Sequence, residues 1–226
     1  MSKKINNYIL FDWETGGFDC KKNPVIEFAA IVLRGTDYEQ LLSYDNIIRP
    51  YDEKLVYEPE AEKVHGISKE RAQQEGIQLS QFLEDFKQIC QEANPTNSKI
   101  SKPVLVGHNP GFDIPFLQDV AERGKLDLSK LLSGYFDNKG NFQPAYIDTL
   151  QTDKNSKGAT PDDSIKFNLT ECCRREGIEV IDAHRAMNDV IPTKQLFIEL
   201  MSRTRGKSST HSGETGVSRF RKKFRL

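Results

Sequence analysis

The segment YILFDWETG, residues 8–16, joins a short apolar run to two carboxylates. The apolar run at residues 8–11 is typical of a buried β-strand, here followed by Asp12. Side chains two residues apart on a strand share a face, so Asp12 and Glu14 should be neighbours, while Trp13 should point into a packed layer. Adjacent carboxylates repel each other, and a divalent cation is the simplest group that keeps both ionised. Two surface acids at a strand end are the plainer alternative.

The rest of the chain indicates an α/β fold with a central mixed β-sheet flanked by helices. Residues 25–33 form an apolar strand with one charge, Glu27, and residues 41–48 form a third strand, which together predict an antiparallel meander. A short buried strand follows at residues 104–106. Helices are predicted at residues 59–64, 68–75, 79–90 from a Ser80 cap, 112–123, 169–175 and 186–201, and irregular segments at 134–143 and 151–166. In the second half of the chain the predicted strands alternate with helices. This order predicts helices on both faces of the sheet.

The amino-acid composition is typical of a folded, globular protein. The chain has 226 residues, enough for one large domain or two small ones. Leu, Ile, Val and Phe make up about 26% of it, above the ~20% typical of disorder. No apolar run approaches a membrane span or the core of a signal peptide, so we expect a cytoplasmic protein with no membrane partner. The four cysteines lack a metal-binding or redox spacing, so they are expected to be reduced thiols.

Charge is distributed unevenly along the chain. Residues 203–226 contain eight Lys or Arg and one acid, a net charge of +7, whereas residues 1–202 carry a net charge of -8. Residues 203–216 are rich in Ser, Thr and Gly, which favours a flexible tether. The sequence therefore predicts a folded domain at 1–202 and a flexible basic tail at 203–226, which ends in a docking segment with Phe220 and Phe224.

Two further acids and a histidine are candidates for the same site. Asp113 begins a predicted helix after a buried strand, although the helix dipole alone favours an acid there. Asp189 follows His184 by five residues, about 500° of helix, so the two converge only if His184 precedes the helix. Oxygen ligands without a Cys or His cluster suit Mg²⁺ or Mn²⁺ rather than zinc. Such a site fits phosphoryl transfer with two metal ions, with a nearby histidine as general base.

Four motifs in order resemble the DEDDh 3′→5′ exonuclease superfamily, most of all the proofreading epsilon subunit of bacterial DNA polymerase III and its stand-alone relatives. They are FDWETG at residues 11–16, VHGIS at 64–68, GHNPGFD at 107–113 and HRAMND at 184–189. The resemblance implies a ribonuclease H-like fold and the release of nucleoside 5′-monophosphates from a 3′ end. It also implies that Asp12, Glu14, Asp113 and Asp189 bind two Mg²⁺ or Mn²⁺ and that His184 activates the water.

The resemblance also implies contacts with the terminal nucleotide. Thr15 and Gly16 would lie against it, and His65 and Phe112 would flank its base or sugar. Asn109 would steady the loop before the third acid, and Asp148 is either a supporting acid or has no role. Pro110-Gly111 departs from the small residues common in the family, so this loop is expected to differ in shape.

The expected partner is the single-stranded 3′ end of a nucleic acid, with DNA favoured over RNA because the motifs resemble the proofreading type. An exoribonuclease with the same five catalytic residues is the first alternative. The second is an inactive module that brings its basic tail to nucleic acid, a polymerase or a clamp protein, which the complete set of five residues disfavours. The sequence has no GxxxxGK[ST] motif and no Cys/His ligand spacing, which excludes a P-loop protein and a zinc nuclease.

Overall fold

A computed structural model describes residues 6–157, 165–181 and 184–204, and a five-stranded mixed sheet lies at their centre. The strands are β1 (Tyr8–Thr15), β2 (Val25–Leu33), β3 (Gln40–Ile47), β4 (Val104–Gly107), β5 (Gly134–Phe136), β6 (Phe142–Pro144) and β7 (Tyr146–Asp148). The sheet order is β3-β2-β1-β4-β7, with β5 and β6 as a separate antiparallel hairpin. Strands β1, β2 and β3 pair antiparallel, whereas β4 pairs parallel with both β1 and β7, so the predicted meander and mixed sheet are confirmed.

Eight helices lie within the described ranges. They are α1 (Pro59–His65), α2 (Lys69–Glu75), α3 (Leu79–Ala93), α4 (Asp113–Arg123), α5 (Leu128–Leu131), α6 (Thr149–Ser156), α7 (Leu169–Arg175) and α8 (Ala186–Thr204). None of them combines the length and apolar character that crossing a bilayer requires. All four cysteines are free thiols, as predicted.

The alternation of β1 places the candidate acids on one face of the sheet. Ile9, Phe11 and Trp13 pack with α3 and α4 in the larger apolar core. Leu10 faces the other way and packs against Val190 and Phe197 of α8. Because side chains alternate along a strand, Asp12 and Glu14 continue the Leu10 face toward α8. Trp13 is buried in the opposite layer, as the sequence predicted.

Three secondary-structure predictions differ from the structure. Residues 134–143, predicted to be irregular, contain the β5–β6 hairpin, where Phe136 and Phe142 rings meet at 5.6 Å. The predicted flexible stretch 151–166 begins as helix α6, which Asp148 caps by accepting the N–H of Leu150, while residues 158–164 lie outside the described ranges. Helix α3 starts at Leu79 with Gln78 as its N-cap, not Ser80.

The predicted domain boundary at residue 202 falls inside α8, which continues to Thr204. Residues 205–226, most of the predicted basic tail, lie outside the described ranges.

Candidate active site

Three carboxylates meet where β1 and α8 come together, and a fourth, at the start of α4, acts on them electrostatically. One carboxylate oxygen from each of Asp12, Glu14 and Asp189 lies within 4.8 Å of the other two. Asp113 is buried at the start of α4, where the nearby backbone of Trp13 acts to lower the pKa of its carboxyl. The fold therefore brings together three of the four residues predicted to bind metal, and the charge of the fourth, Asp113, raises the pKa of Asp12. Every donor is an oxygen, which fits a hard divalent cation.

Burial and mutual repulsion oppose the ionised form of this cluster. Burial is the largest cause at each carboxyl: it raises the pKa of Glu14 to about 8 and that of Asp113 to about 7. The pKa of Asp12 is raised well above its usual range by burial, then by the charges of Asp113 and Glu14. The pKa of Asp189 is also raised. Because these carboxylates repel one another when ionised, a bound cation would stabilise their ionised form, as it does in a metal site.

Glu14→Gln is expected to raise the thermal unfolding midpoint by a few degrees at about pH 8 in EDTA, and to change it much less at about pH 5. The folded pKa of Glu14, about 8, lies above its ordinary value of 4.5, so the folded state retains a proton that the unfolded state has released. The contribution of Glu14 to the free energy of unfolding is therefore fully present below about pH 4.5 and is lost as the pH rises through about 8. Calorimetry at both pH values tests this, with the exposed Glu92→Gln on α3 as control. Equal shifts at the two pH values would contradict it.

His184 lies just before α8, where the sequence required it to be in order to approach Asp189. Its backbone N–H donates to the Asp189 carboxylate at 3.3 Å, and its side chain is exposed. Its φ of 78° is in the left-handed region, which is uncommon for a residue with a Cβ. The histidine thus stands at the solvent-facing edge of the carboxylate cluster, while its role as a base stays a prediction.

Glu27 and Arg185 also belong to this site, although the sequence analysis assigned neither a role. Glu27 lies on β2 directly opposite Glu14 and is 2% exposed. Its carboxylate accepts from the Arg185 guanidinium and from the backbone N–H of Ala186. The charge of Arg185 in turn lowers the pKa of Glu14. The only sequence feature that pointed to this pair was Glu27, the one charged residue in an otherwise apolar strand.

The predicted nucleotide contacts in the loops are explained partly by protein packing. The Thr15 hydroxyl donates to the Gly17 carbonyl at 2.7 Å. A Cβ at Gly16 would meet the Pro24 ring at 2.7 Å, so packing alone accounts for a glycine there. Asn109 has a φ of 64°, and its backbone N–H donates to Asp148 at 3.0 Å. Asp148 therefore holds the loop that leads to the third acid and also caps α6.

His65 has an unused hydrogen-bond donor. It is 5% exposed, and its Nδ1 accepts the backbone N–H of Ile67 at 3.0 Å, so Nε2 carries the proton. That Nε2 is buried and has no partner among the described residues. Burial lowers the pKa of His65, and the charges of Glu27 and Arg185 act on its ring. A neutral donor is therefore available close to the carboxylate cluster.

An aromatic pair stands beside the cluster. Phe112 immediately precedes Asp113 and packs on Phe116 at 5.3 Å between ring centroids. Phe18 meets Phe112 edge-on at 6.2 Å and is 86% exposed. Phe112 was predicted from the sequence to contact the nucleotide, whereas Phe18, which follows the first motif by two residues, was not.

Known proteins share this arrangement of sequence and fold. The family model described as Exonuclease (RNase_T) matches residues 9–197. Ribonuclease T of Escherichia coli (strain K12) and of Klebsiella pneumoniae subsp. pneumoniae are each 26% identical over 201 residues, covering 86% of this chain and 84% of theirs.

Solved structures show the same fold. E. coli Exonuclease I in complex with a dT13 oligonucleotide matches with a TM-score of 0.67 and 20% identity, over 88% of this chain and 41% of that one. This chain thus spans less than half of Exonuclease I, and the predicted ribonuclease H-like fold is confirmed. With a family model matched over most of its length and the four motifs in order, the chain belongs to the exonuclease family and to its DEDDh superfamily.

Proposed function

We propose that this protein removes nucleoside 5′-monophosphates one at a time from the 3′ end of single-stranded nucleic acid, with DNA preferred over RNA. The observation that carries the proposal is the cluster of Asp12, Glu14 and Asp189, with Asp113 beside it and His184 at its edge. These four carboxylates would hold two Mg²⁺ or Mn²⁺, which supply an activated water and stabilise the leaving oxygen.

The chain's own residues provide the remaining chemistry. His184, exposed at the edge of the cluster, accepts the proton of the attacking water as general base. The hydrogen bond from its backbone to Asp189 keeps it next to the carboxylates. The free Nε2–H of His65 offers a hydrogen bond to an oxygen or nitrogen of the terminal nucleotide, which would satisfy a buried donor that the protein leaves unpaired.

The deciding experiment incubates the protein with end-labelled single- and double-stranded DNA and RNA of one sequence, in Mg²⁺, Mn²⁺ or EDTA. The proposal expects mononucleotides released from the 3′ end of single-stranded DNA, no release in EDTA and slower release from RNA. Faster release from RNA supports a second candidate, an exoribonuclease, which the similarity to proteins named Ribonuclease T favours. Absence of any hydrolysis, or internal cleavage, contradicts both.

Phe18→Ala is expected to weaken binding of a short single-stranded oligonucleotide roughly 5- to 100-fold, because stacking on an aromatic ring contributes about 1–3 kcal/mol per base. Phe18 is almost fully exposed, and Phe112 supports it edge-on, so its ring face is open to a base. Fluorescence anisotropy in EDTA measures the affinity without hydrolysis. Phe136→Ala on β5, which removes an aromatic ring that is 63% exposed, is the matched control. Equal weakening by both variants would argue against a specific stacking site.

Removing residues 205–226 is expected to weaken binding to long single strands and to reduce its salt dependence, while turnover of short strands stays unchanged. The deleted segment has seven Lys or Arg and one acid, and cations that neutralise phosphates release counterions. Cutting after Thr204 keeps the ion pair of Arg203 with Glu176 at the end of α8. The slope of log Kd against log salt concentration is the measurement. An unchanged slope would instead favour a protein partner, and a pull-down with polymerase or clamp proteins would test that.

A further inference from the structure

The ion pair between Glu27 and Arg185 ties the start of α8 to the sheet. Arg185 Nε lies 2.9 and 3.1 Å from the two carboxylate oxygens of Glu27, and its Nη2 makes a further hydrogen bond to the same group. The backbone N–H of Ala186 donates to Glu27 at 3.0 Å. One buried carboxylate on β2 therefore holds two consecutive residues, the last before α8 and the first within it.

His184 lies immediately before the tied residues. Its φ of 78° is left-handed, which is unfavourable for a residue with a Cβ, and such a conformation persists only where its surroundings fix it. On the described side of His184, those surroundings include the hydrogen bond of its N–H to Asp189 and the contacts of Glu27 with the next two residues. The Arg185 carbonyl also accepts the backbone N–H groups of Asn188 and Asp189. Loss of the Glu27 contacts would leave residue 185 held only by the first turn of α8, without its tie to the sheet.

We propose that Glu27 and Arg185 act as a clamp that positions His184 against the carboxylate cluster. The inference rests on the proposed function for its kinetic part, and both residues are positioning residues, because neither needs to touch the reacting atoms. Net stability does not explain the pair well: Glu27 is buried, and the cost of desolvating its carboxylate offsets much of its attraction to Arg185, whose side chain is partly exposed.

The test compares Arg185→Gln, which removes the ion pair, with Arg185→Lys, which keeps the charge but loses the two-pronged geometry. Arg203→Gln is the matched control, because it breaks an Arg–Glu pair at the other end of the same helix. We expect Arg185→Gln to lower kcat roughly 10- to 100-fold with KM within a few-fold, Arg185→Lys to lower it less, and Arg203→Gln to match the wild type. If Arg185→Gln does not fold, Arg185→Lys carries the same measurements.

Two further measurements distinguish a role in positioning His184 from a general loss of folded structure. In a His184→Ala background, Arg185→Gln should cost no more than a few-fold, because the clamp acts through a side chain that is already absent. Hydrogen exchange of amides 184–189, which requires no activity, should be faster in Arg185→Gln and unchanged in Arg203→Gln. Mn²⁺ affinity, followed by electron paramagnetic resonance, should not weaken, since the four carboxylates remain.

The outcomes distinguish this inference from the function on which it rests. Suppose that the wild type is active. If Arg185→Gln then has a normal kcat, or lowers kcat equally with His184 present and with His184→Ala, the clamp is wrong and the proposed function stands. A wild type without 3′-end hydrolysis overturns the proposed function, and unchanged amide exchange in Arg185→Gln then overturns the clamp as well.

Discussion

Asp12→Asn is expected to slow 3′-end hydrolysis at least about a thousandfold while leaving the protein folded. Asp12 lies at the centre of the cluster: its carboxylate approaches those of Glu14 and Asp189, and the charge of Asp113 acts on it strongly. Metal ions contribute several kcal/mol of transition-state stabilisation, and about 4 kcal/mol corresponds to a thousandfold in rate. Asn keeps the size of the side chain but removes the charge that a divalent ion requires.

Three measurements on Asp12→Asn distinguish a lost metal site from a damaged fold. Shortening of a 5′-labelled single strand gives the rate, and Mn²⁺ titration should show weaker binding. The unfolding midpoint in EDTA should be equal to that of the wild type or higher, because one of several repelling carboxylates has been neutralised. Glu92→Gln, which removes an exposed acid from α3, should leave all three unchanged. Near-normal digestion by Asp12→Asn, or activity that survives EDTA, would contradict the proposed site.

The part of the site that could be predicted is the part that local periodicity determines. Alternation along residues 8–14 places Trp13 in one layer and the two acids in the other, and the structure shows this separation. The helical angle between His184 and Asp189 required the histidine to precede α8, and α8 begins at Ala186. Both inferences need only residues that are close in sequence.

The parts that could not be predicted depend on contacts between distant segments. Glu27 and Arg185 are 158 positions apart, and no local pattern links a lone charge in a strand to a cation before the last helix. The exposed ring of Phe18 gains significance only from Phe112, which reaches it through a different loop. The β5–β6 hairpin has strands of three residues, too short to show a period of two. Long-range pairing and short elements thus limit what the sequence reveals.

His184→Ala is expected to lower kcat roughly 10²- to 10⁴-fold at saturating metal, the usual contribution of a general base. The side chain is exposed beside the carboxylates, so its removal should disturb neither the apolar core nor the metal ligands. Mn²⁺ affinity and the unfolding midpoint should therefore stay close to those of the wild type, in contrast to Asp12→Asn, which should lose metal affinity.

The pH profile and chemical rescue identify the role of His184. The wild-type rate should rise with pH as the base loses its proton, and the rise should disappear in His184→Ala because the group that must be deprotonated is absent. Added imidazole should restore part of the rate of His184→Ala, whereas it should restore none in Asp12→Asn, where the base is intact and the metal site is not. A loss of less than a few-fold, with the pH dependence of the wild type retained, would mean that another group accepts the proton from the attacking water.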